Sequence, residues 1–281
     1  MQICRDPLSM HAWSRTQHHD GRRIGCVPTM GALHAGHLAL IDEARRRCDV
    51  VVVSIFVNPL QFSRSDDFDK YPQPIDTDVE ACRSAGVDAV YAPTAAAMYP
   101  PGFQTHVEPG VLADSLEGAS RPGHFHGVTT VVAKLFGAMQ PDVAVFGQKD
   151  FQQLAIIRQM VLDLDMDIEI IGLPTIREAD GLAISSRNQR LSLDDRRAAV
   201  CVAQALRIAV AAVEAGERNV ERLVKLAGDR IGAEPRARLE YVHVVDPLTL
   251  DPVEEVSQPA VIVAAIWFGD VRLIDNLSLC P

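Results

Sequence analysis

Pro28-Thr29-Met30-Gly31-Ala32-Leu33-His34-Ala35-Gly36-His37-Leu38 lies between two segments of different periodicity. Upstream, Arg23 to Val27 reads as a short buried strand; downstream, Gly36 to Arg47 carries apolar residues at Leu38, Ile41 and Ala44, the spacing of a helix. The stretch is therefore a strand-to-helix turn, with His34 and His37 flanking the helix N-terminus. Unpaired backbone N–H groups and the positive end of the helix dipole favour an anion there, and Gly31 and Gly36 let it approach the backbone closely. A phosphate suits this turn.

Other chemistries fit it less well. Gly31 to His37 has the glycine spacing of a Walker A loop, but His37 and Leu38 stand where that loop needs Lys and Ser or Thr. A metalloprotease helix spaces its histidines by four with Glu after the first; here they are three apart with Ala between. A lone histidine at a helix start is most often structural. Two of them, bracketed by glycines just after a strand, point to a site.

The chain has 281 residues, 48% hydrophobic and 23% charged, room for two domains in a soluble globular balance. No apolar run reaches the length of a membrane span, and Met1 to Asp20 has no signal-like apolar core, so the expected location is cytoplasmic, with no membrane partner. Cys4, Cys26, Cys48, Cys82, Cys201 and Cys280 form no C-x-x-C pair, which fits reduced thiols. With 27 Lys and Arg against 37 Asp and Glu, the net charge of -10 repels polyanions, so no nucleic-acid partner is expected. A small phosphorylated ligand still binds if local cations and a divalent metal neutralise it.

Strand-like and helix-like runs alternate over the first two-thirds, the pattern of an α/β fold with a parallel sheet covered on both faces. The expected strands are Arg23 to Val27, Val50 to Val57, Ala89 to Ala92, Val143 to Phe146 and Ile168 to Leu173; further helices are expected at Thr77 to Ala85, Val128 to Met139 and Phe151 to Leu164. Val50 to Val57, almost wholly apolar, reads as a central strand that delivers Asn58 and Gln61 to the sheet edge where such folds bind ligands. Phe62 to Pro74 is polar and aperiodic, a surface loop. Beyond about residue 175 the pattern becomes a smaller α+β domain, with helices at Arg196 to Glu214 and Val220 to Ile231 and strands near Leu239 to Val245 and Val261 to Phe268.

Two further polar clusters stand at strand ends or at the domain boundary: Gly147 to Gln153 and Ile184-Ser185-Ser186-Arg187-Asn188. Lys149 suits a phosphate as a point charge, although a surface lysine is the commoner case. Ser185, Ser186 and Arg187 can hold a triphosphate and can equally cap a helix.

Taken together, these residues resemble a known family. Pro28 to His37 looks like the HIGH-type motif of adenylate-forming enzymes, and Ile184 to Asn188 resembles the companion KMSKS-type loop. With Phe56-Val57-Asn58-Pro59-Leu60-Gln61-Phe62, Arg121-Pro122-Gly123-His124-Phe125 and Phe146-Gly147-Gln148-Lys149-Asp150-Phe151-Gln152-Gln153, the order and spacing are similar to pantoate-β-alanine ligases over most of the chain.

That resemblance implies a Rossmann-like doubly wound parallel sheet in residues 1–175 and a smaller α+β domain in 176–281 that closes over the site. It implies activation of pantoate by ATP to pantoyl adenylate and pyrophosphate, then displacement of AMP by β-alanine. His34, His37 and Lys149 would be catalytic, His37 as proton donor. ATP would be held by Pro28, Met30, Gly31, His34, His37, Gly147, Lys149, Asp150, Ile176, Ile184, Ser185, Ser186 and Arg187, together with Mg2+. Pantoate and β-alanine would fall to Gln61, Gln153, Asn58 and Arg121. The resemblance also implies a homodimer. Asp78 matches an acidic family position and is a candidate Mg2+ ligand, while its place near a helix start equally suits a cap. Ile184 replaces the usual Met, and Gln73-Pro74 replaces Arg-Thr, which removes a cation. The HIGH-type turn also serves nucleotidyltransferases, the alternative activity. The segment Phe62 to Pro74 is a candidate lid over the adenylate.

Overall fold

The structure, a computed structural model, describes residues 1–62 and 71–281. The chain divides into two compact units, Met1–Gln148 with Gln152–Pro174, and Lys149–Phe151 with Thr175–Pro281. The first holds a six-stranded, wholly parallel sheet: β1 (Gln2–Cys4), β2 (Ile24–Thr29), β3 (Val50–Ile55), β4 (Ala89–Tyr91), β5 (Val143–Gly147) and β6 (Glu169–Leu173), in the order β1-β4-β3-β2-β5-β6.

Alternation along each strand divides the core into two layers. Val50, Val52, Ala144 and Phe146 face α1 (Pro7–His19), α4 (His124–Met139) and α5 (Phe151–Asp163), in a layer containing Met10, Phe136 and Ile157. Val51, Val53, Ile55, Val143 and Val145 face α2 (Ala35–Arg47) and α3 (Ile75–Ser84), through Ile41, Ala44 and Cys82. This is the expected doubly wound sheet, and β3, buried at every residue, is its central strand.

The winding reverses between β2 and β5. Their ladder has only two paired positions, Gly25↔Val143 and Cys26↔Ala144, whereas β2 pairs with β3 along all six residues. Pro28 has no N–H to offer a ladder, so the strands part before their C-terminal ends, at the switch point where open α/β sheets take ligands.

The second unit packs α6 (Leu193–Ala198), α7 (Val200–Glu214) and α8 (Val220–Gly232) with an antiparallel sheet of β7 (Ala237–Val245), β8 (Ala260–Phe268) and β9 (Val271–Leu279). Leu206, Leu223, Ile231, Ile262 and Phe268 lie in its core. β9 was not expected, because buried Asp275 and Asn276 interrupt its apolar pattern; Arg177 satisfies Asp275 with two bonds of 2.7 and 2.9 Å. The single helix expected at Arg196 to Glu214 is two, the first capped by Ser192, whose Oγ accepts from Asp195 N at 3.1 Å. α1 also escaped the periodicity reading; its local signal is Asp6-Pro7, with Asp6 capping Ser9 N at 3.0 Å. No helix among the described residues is long and apolar enough to cross a membrane, and all six cysteines are free thiols.

Candidate active site

β2 leads into the turn through hydrogen bonds to its neighbour. Thr29 Oγ1 donates to Ser54 O at 2.6 Å and accepts from Gly31 N at 3.1 Å. Gly31 then turns at φ +84°, where a Cβ would stand 2.9 Å from Asp78 Oδ2, and Ala32 follows at φ +50°, a left-handed conformation uncommon outside glycine. Asp78 holds that conformation in place. Only 2% exposed, its carboxylate accepts from Ala32 N and Leu33 N, both at 2.8 Å. Asp78 anchors the turn from inside the protein: each oxygen accepts one of these bonds, and charge-assisted bonds of this kind are costly to break.

The two histidines cap their own helix. His34, the N-cap of α2, accepts from Gly36 N through Nδ1 at 3.2 Å, and His37 Nδ1 accepts from His34 N at 3.3 Å, a reciprocal capping box built from imidazoles. The rings stack with centroids 4.0 Å apart. Gly36 makes this possible, since a Cβ there would meet the His34 ring at 2.9 Å. A ring whose Nδ1 accepts carries its hydrogen on Nε2 when neutral, so each histidine presents an Nε2–H donor.

At the end of β3, Asn58 is only 1% exposed and fully engaged. Its Nδ2 donates to Gln61 Oε1 (3.1 Å) and Gly127 O (3.0 Å); its Oδ1 accepts from Tyr99 OH (2.7 Å) and Leu60 N (3.3 Å). Two donors and two lone pairs are all the side chain has, so Asn58 cannot also hold pantoate. It positions Gln61. Gln61 Nε2 also donates to Met30 Sδ at 3.0 Å, which brings the Asn58 turn and the β2 turn together. Tyr99 and His124 had no role in the sequence reading. Burial pushes the Tyr99 phenol well up, so it keeps the proton it donates. Buried His124 Nε2 faces Arg121 Nη1 at 3.1 Å, and because a guanidinium only donates, His124 Nδ1–H donates to Gln61 O at 2.8 Å. Arg121 thus supports the Gln61 backbone through one side chain.

The remaining expected residues are arranged as follows. Pro28 is the penultimate residue of β2, and Gly147 ends β5, where a Cβ would meet nothing within 4 Å. Gln153 is half-buried on α5, while its neighbour Gln152 is buried in structural bonds to Glu117 N, Leu112 O and Ser115 O. In the second unit, Lys149 Nζ stands 3.9 Å from Asp150 Oδ1, and Asn276 Nδ2 donates to Lys149 O at 3.0 Å. Asn276, 127 positions away in sequence, gave no signal there. Ile184 N donates to Ile176 O at 3.0 Å, closing a hairpin that delivers Ser185, the cap of a 3₁₀ turn at Ser186–Arg190, with its Oγ accepting from Arg187 N at 3.3 Å. Asn188 Nδ2 ties the turn to Ala183 O (3.0 Å) and Glu178 Oε1 (3.3 Å). Most of the candidate lid, residues 63–70, lies outside the described residues; at its ends the Phe62 and Tyr71 rings meet edge-on at 5.9 Å. Among the described residues, no three His, Cys, Asp or Glu side chains are grouped to hold a metal.

The chain that carries this imidazole-capped turn matches a family model described as pantoate-beta-alanine ligase over residues 2–278. The chain belongs to the pantoate-β-alanine ligase family. A pantothenate synthetase of Heliobacterium modesticaldum is 51% identical over 277 residues, 99% of both chains. The crystal structure of pantothenate synthetase from Thermus thermophilus shares 42% identity and superposes with a TM-score of 0.94, covering 100% of both chains. That of pantoate-beta-alanine ligase from Francisella tularensis, complexed with beta-gamma ATP and beta-alanine, shares 36% identity at a TM-score of 0.82, with 99% and 97% covered. As a member of the pantoate-β-alanine ligase family, the chain is an ATP-dependent carbon–nitrogen ligase, and the nucleotidyltransferase alternative is not favoured.

Proposed function

We propose that this ligase runs in two steps at the β2/β5 switch point. Pantoate carboxylate attacks the α-phosphorus of ATP, forming pantoyl adenylate and releasing pyrophosphate; the β-alanine amine then attacks the acyl carbon and AMP leaves. The observation that carries the reading is the capping of α2, which commits both Nδ1 atoms to backbone N–H groups and so puts the hydrogen of each neutral ring on Nε2. Negative charge grows on the phosphoryl oxygens in the first step, and donors fixed beforehand lower its barrier without reorganising. His37 acts on the departing charge and His34 beside it. Met30, Gly31, Pro28 and Gly147 line the nucleotide, with Ile176 and Ile184 as apolar contacts. Lys149, Ser185, Ser186 and Arg187 neutralise the triphosphate, and Asp150 orients Lys149.

Mg2+ is expected to arrive with ATP, since this ion keeps its waters and is held largely through substrate phosphates. The donors here, imidazole N–H, ammonium and guanidinium, suit phosphate oxygens; the ion supplies further charge neutralisation. Gln61 holds pantoate through the second hydrogen-bonding directions of its amide, with Gln153 and Arg121 as partners. No side chain is assigned as the base for β-alanine, and positioning carries that step. The protein is read as a cytoplasmic homodimer.

An assay for AMP and pyrophosphate with pantoate, β-alanine and MgATP omitted in turn tests the reading. AMP release should require all three, and ATP–pyrophosphate exchange should require pantoate but not β-alanine. A product that retains the nucleotide would overturn it.

A further inference from the structure

Far from the nucleotide turn in sequence, His106, Glu108 and His126 form a cluster at the surface that the ligase reaction does not use. Val107 is held against α4 at both backbone atoms: its N–H donates to Thr130 Oγ1 at 3.1 Å, and its carbonyl accepts from Thr129 Oγ1 at 2.6 Å. This strap fixes His106 and Glu108, the residues on either side, against His126 one helical turn away. The Glu108 carboxylate binds His126 Nδ1, and the other ring nitrogen, Nε2, faces His106 Nδ1 at 3.1 Å. Since a carboxylate accepts, Nδ1 carries a hydrogen, and Nε2 holds a lone pair whenever His126 is neutral.

The geometry points to a binding site for a divalent transition ion of the kind imidazole prefers, with Zn2+ as the representative, held between His126 Nε2 and His106 Nδ1. Nitrogens bound at about 2.0–2.1 Å stand about 2.9 Å apart at a right angle and about 3.4 Å apart at the tetrahedral angle, and the observed 3.1 Å falls between. The ring positions agree with that spacing. Two imidazoles sharing an ion at that nitrogen spacing have centroids about 4.8 Å apart, so an ion can replace the hydrogen that the two nitrogens now share without moving the rings. The observed separation is 4.7 Å, with planes inclined by 30°. A carboxylate on the outer nitrogen of a metal-binding histidine is the usual support for such a ligand, fixing its tautomer and raising its basicity. Phe103 packs edge-on against His106 at 4.9 Å and limits its rotation. With no third ligating side chain among the described residues, water completes the coordination.

Calorimetric titration of the untagged protein with ZnCl2, in nucleotide-free buffer, tests the site. One saturable site is expected in the wild type. His106→Gln and His126→Gln should each weaken it at least about tenfold, and Glu108→Gln by about tenfold, the scale of losing an outer-shell partner. His18→Gln with His19→Gln, an adjacent pair on α1, should leave it unchanged. Nitrogen-15 NMR of the wild type provides a second readout independent of any variant's folding: Zn2+ should shift His126 Nε2 and His106 Nδ1. Binding that survives the His106→Gln/His126→Gln double variant, or ring nitrogens that do not move with Zn2+, would overturn the assignment.

Discussion

The two polar turns that the family resemblance pairs, Met30 to His37 and Ile184 to Asn188, are built on different principles. The first is fixed from beneath: Asp78 at 2% exposure, Ser54 at 0% and Asn58 at 1% supply the groups that hold its backbone or its neighbour Gln61. The second is fixed from within, by Ser185 capping its own 3₁₀ turn and Asn188 reaching back to Ala183, and all five residues are only half-buried. A turn anchored in the core keeps its donors aimed whether or not ligand is present; one held by its own short bonds opens at low cost. For the proposed reaction, the difference suits fixed donors in the first turn and adaptable charge neutralisation in the second.

The sharpest way to break this contrast is Asp78→Ala. It strands two buried N–H groups beside a left-handed Ala32, and we expect a loss of about 3–5 kcal/mol in urea unfolding, the sum of two charge-assisted bonds. Wild-type stability would show that the turn needs no anchor. His37→Ala should leave stability within about 1 kcal/mol of wild type, the scale of a lost cap. Pantoate-dependent ATP–pyrophosphate exchange should meanwhile fall by about 10²–10³, the scale of one preorganised donor. Asn58→Ala should destabilise by about 1–3 kcal/mol. Gln61→Ala should weaken pantoate more than ATP in a binding titration, and equal loss of both would place Gln61 in the scaffold instead. Ser185→Ala should be milder, about 1 kcal/mol or less, with its main effect on the KM for ATP.

The smallest effect concerns pH. His243 lies on an exposed face of β7 with the Tyr241 ring stacked 5.4 Å away, and partial desolvation there holds its pKa below the usual histidine value. The unfolded chain therefore takes up this proton first, at about pH 6.5, so the stability contribution is full above that pH and is lost progressively as pH falls from there through the lowered folded value. His243→Gln should flatten the decline of Tm between neutral and mildly acidic pH.

How much of this was legible in the sequence follows from where each signal resides. β3 could be read because all but Ser54 of its residues are apolar, and the β2 turn because two histidines bracketed by glycines stand just after a strand. β9 was hidden by Asp275, whose partner Arg177 is 98 positions away. Asn58 was placed at the correct edge but given a ligand's role, because sequence shows a polar side chain without showing that Tyr99, Leu60, Gln61 and Gly127 exhaust it. Asp78 likewise shows a carboxylate in the sequence without showing that it holds Ala32 N and Leu33 N. Local pattern places a residue; only long-range hydrogen bonds reveal whether it has anything left to offer.

The proline at position 28 withholds one ladder bond between two central strands. An ordinary residue there would invite β2 and β5 to zip toward their tips, gaining cohesion and closing the gap between them. The protein stays slightly less tightly sewn at its middle, and that missing stitch lies beside the turn where we propose the nucleotide binds.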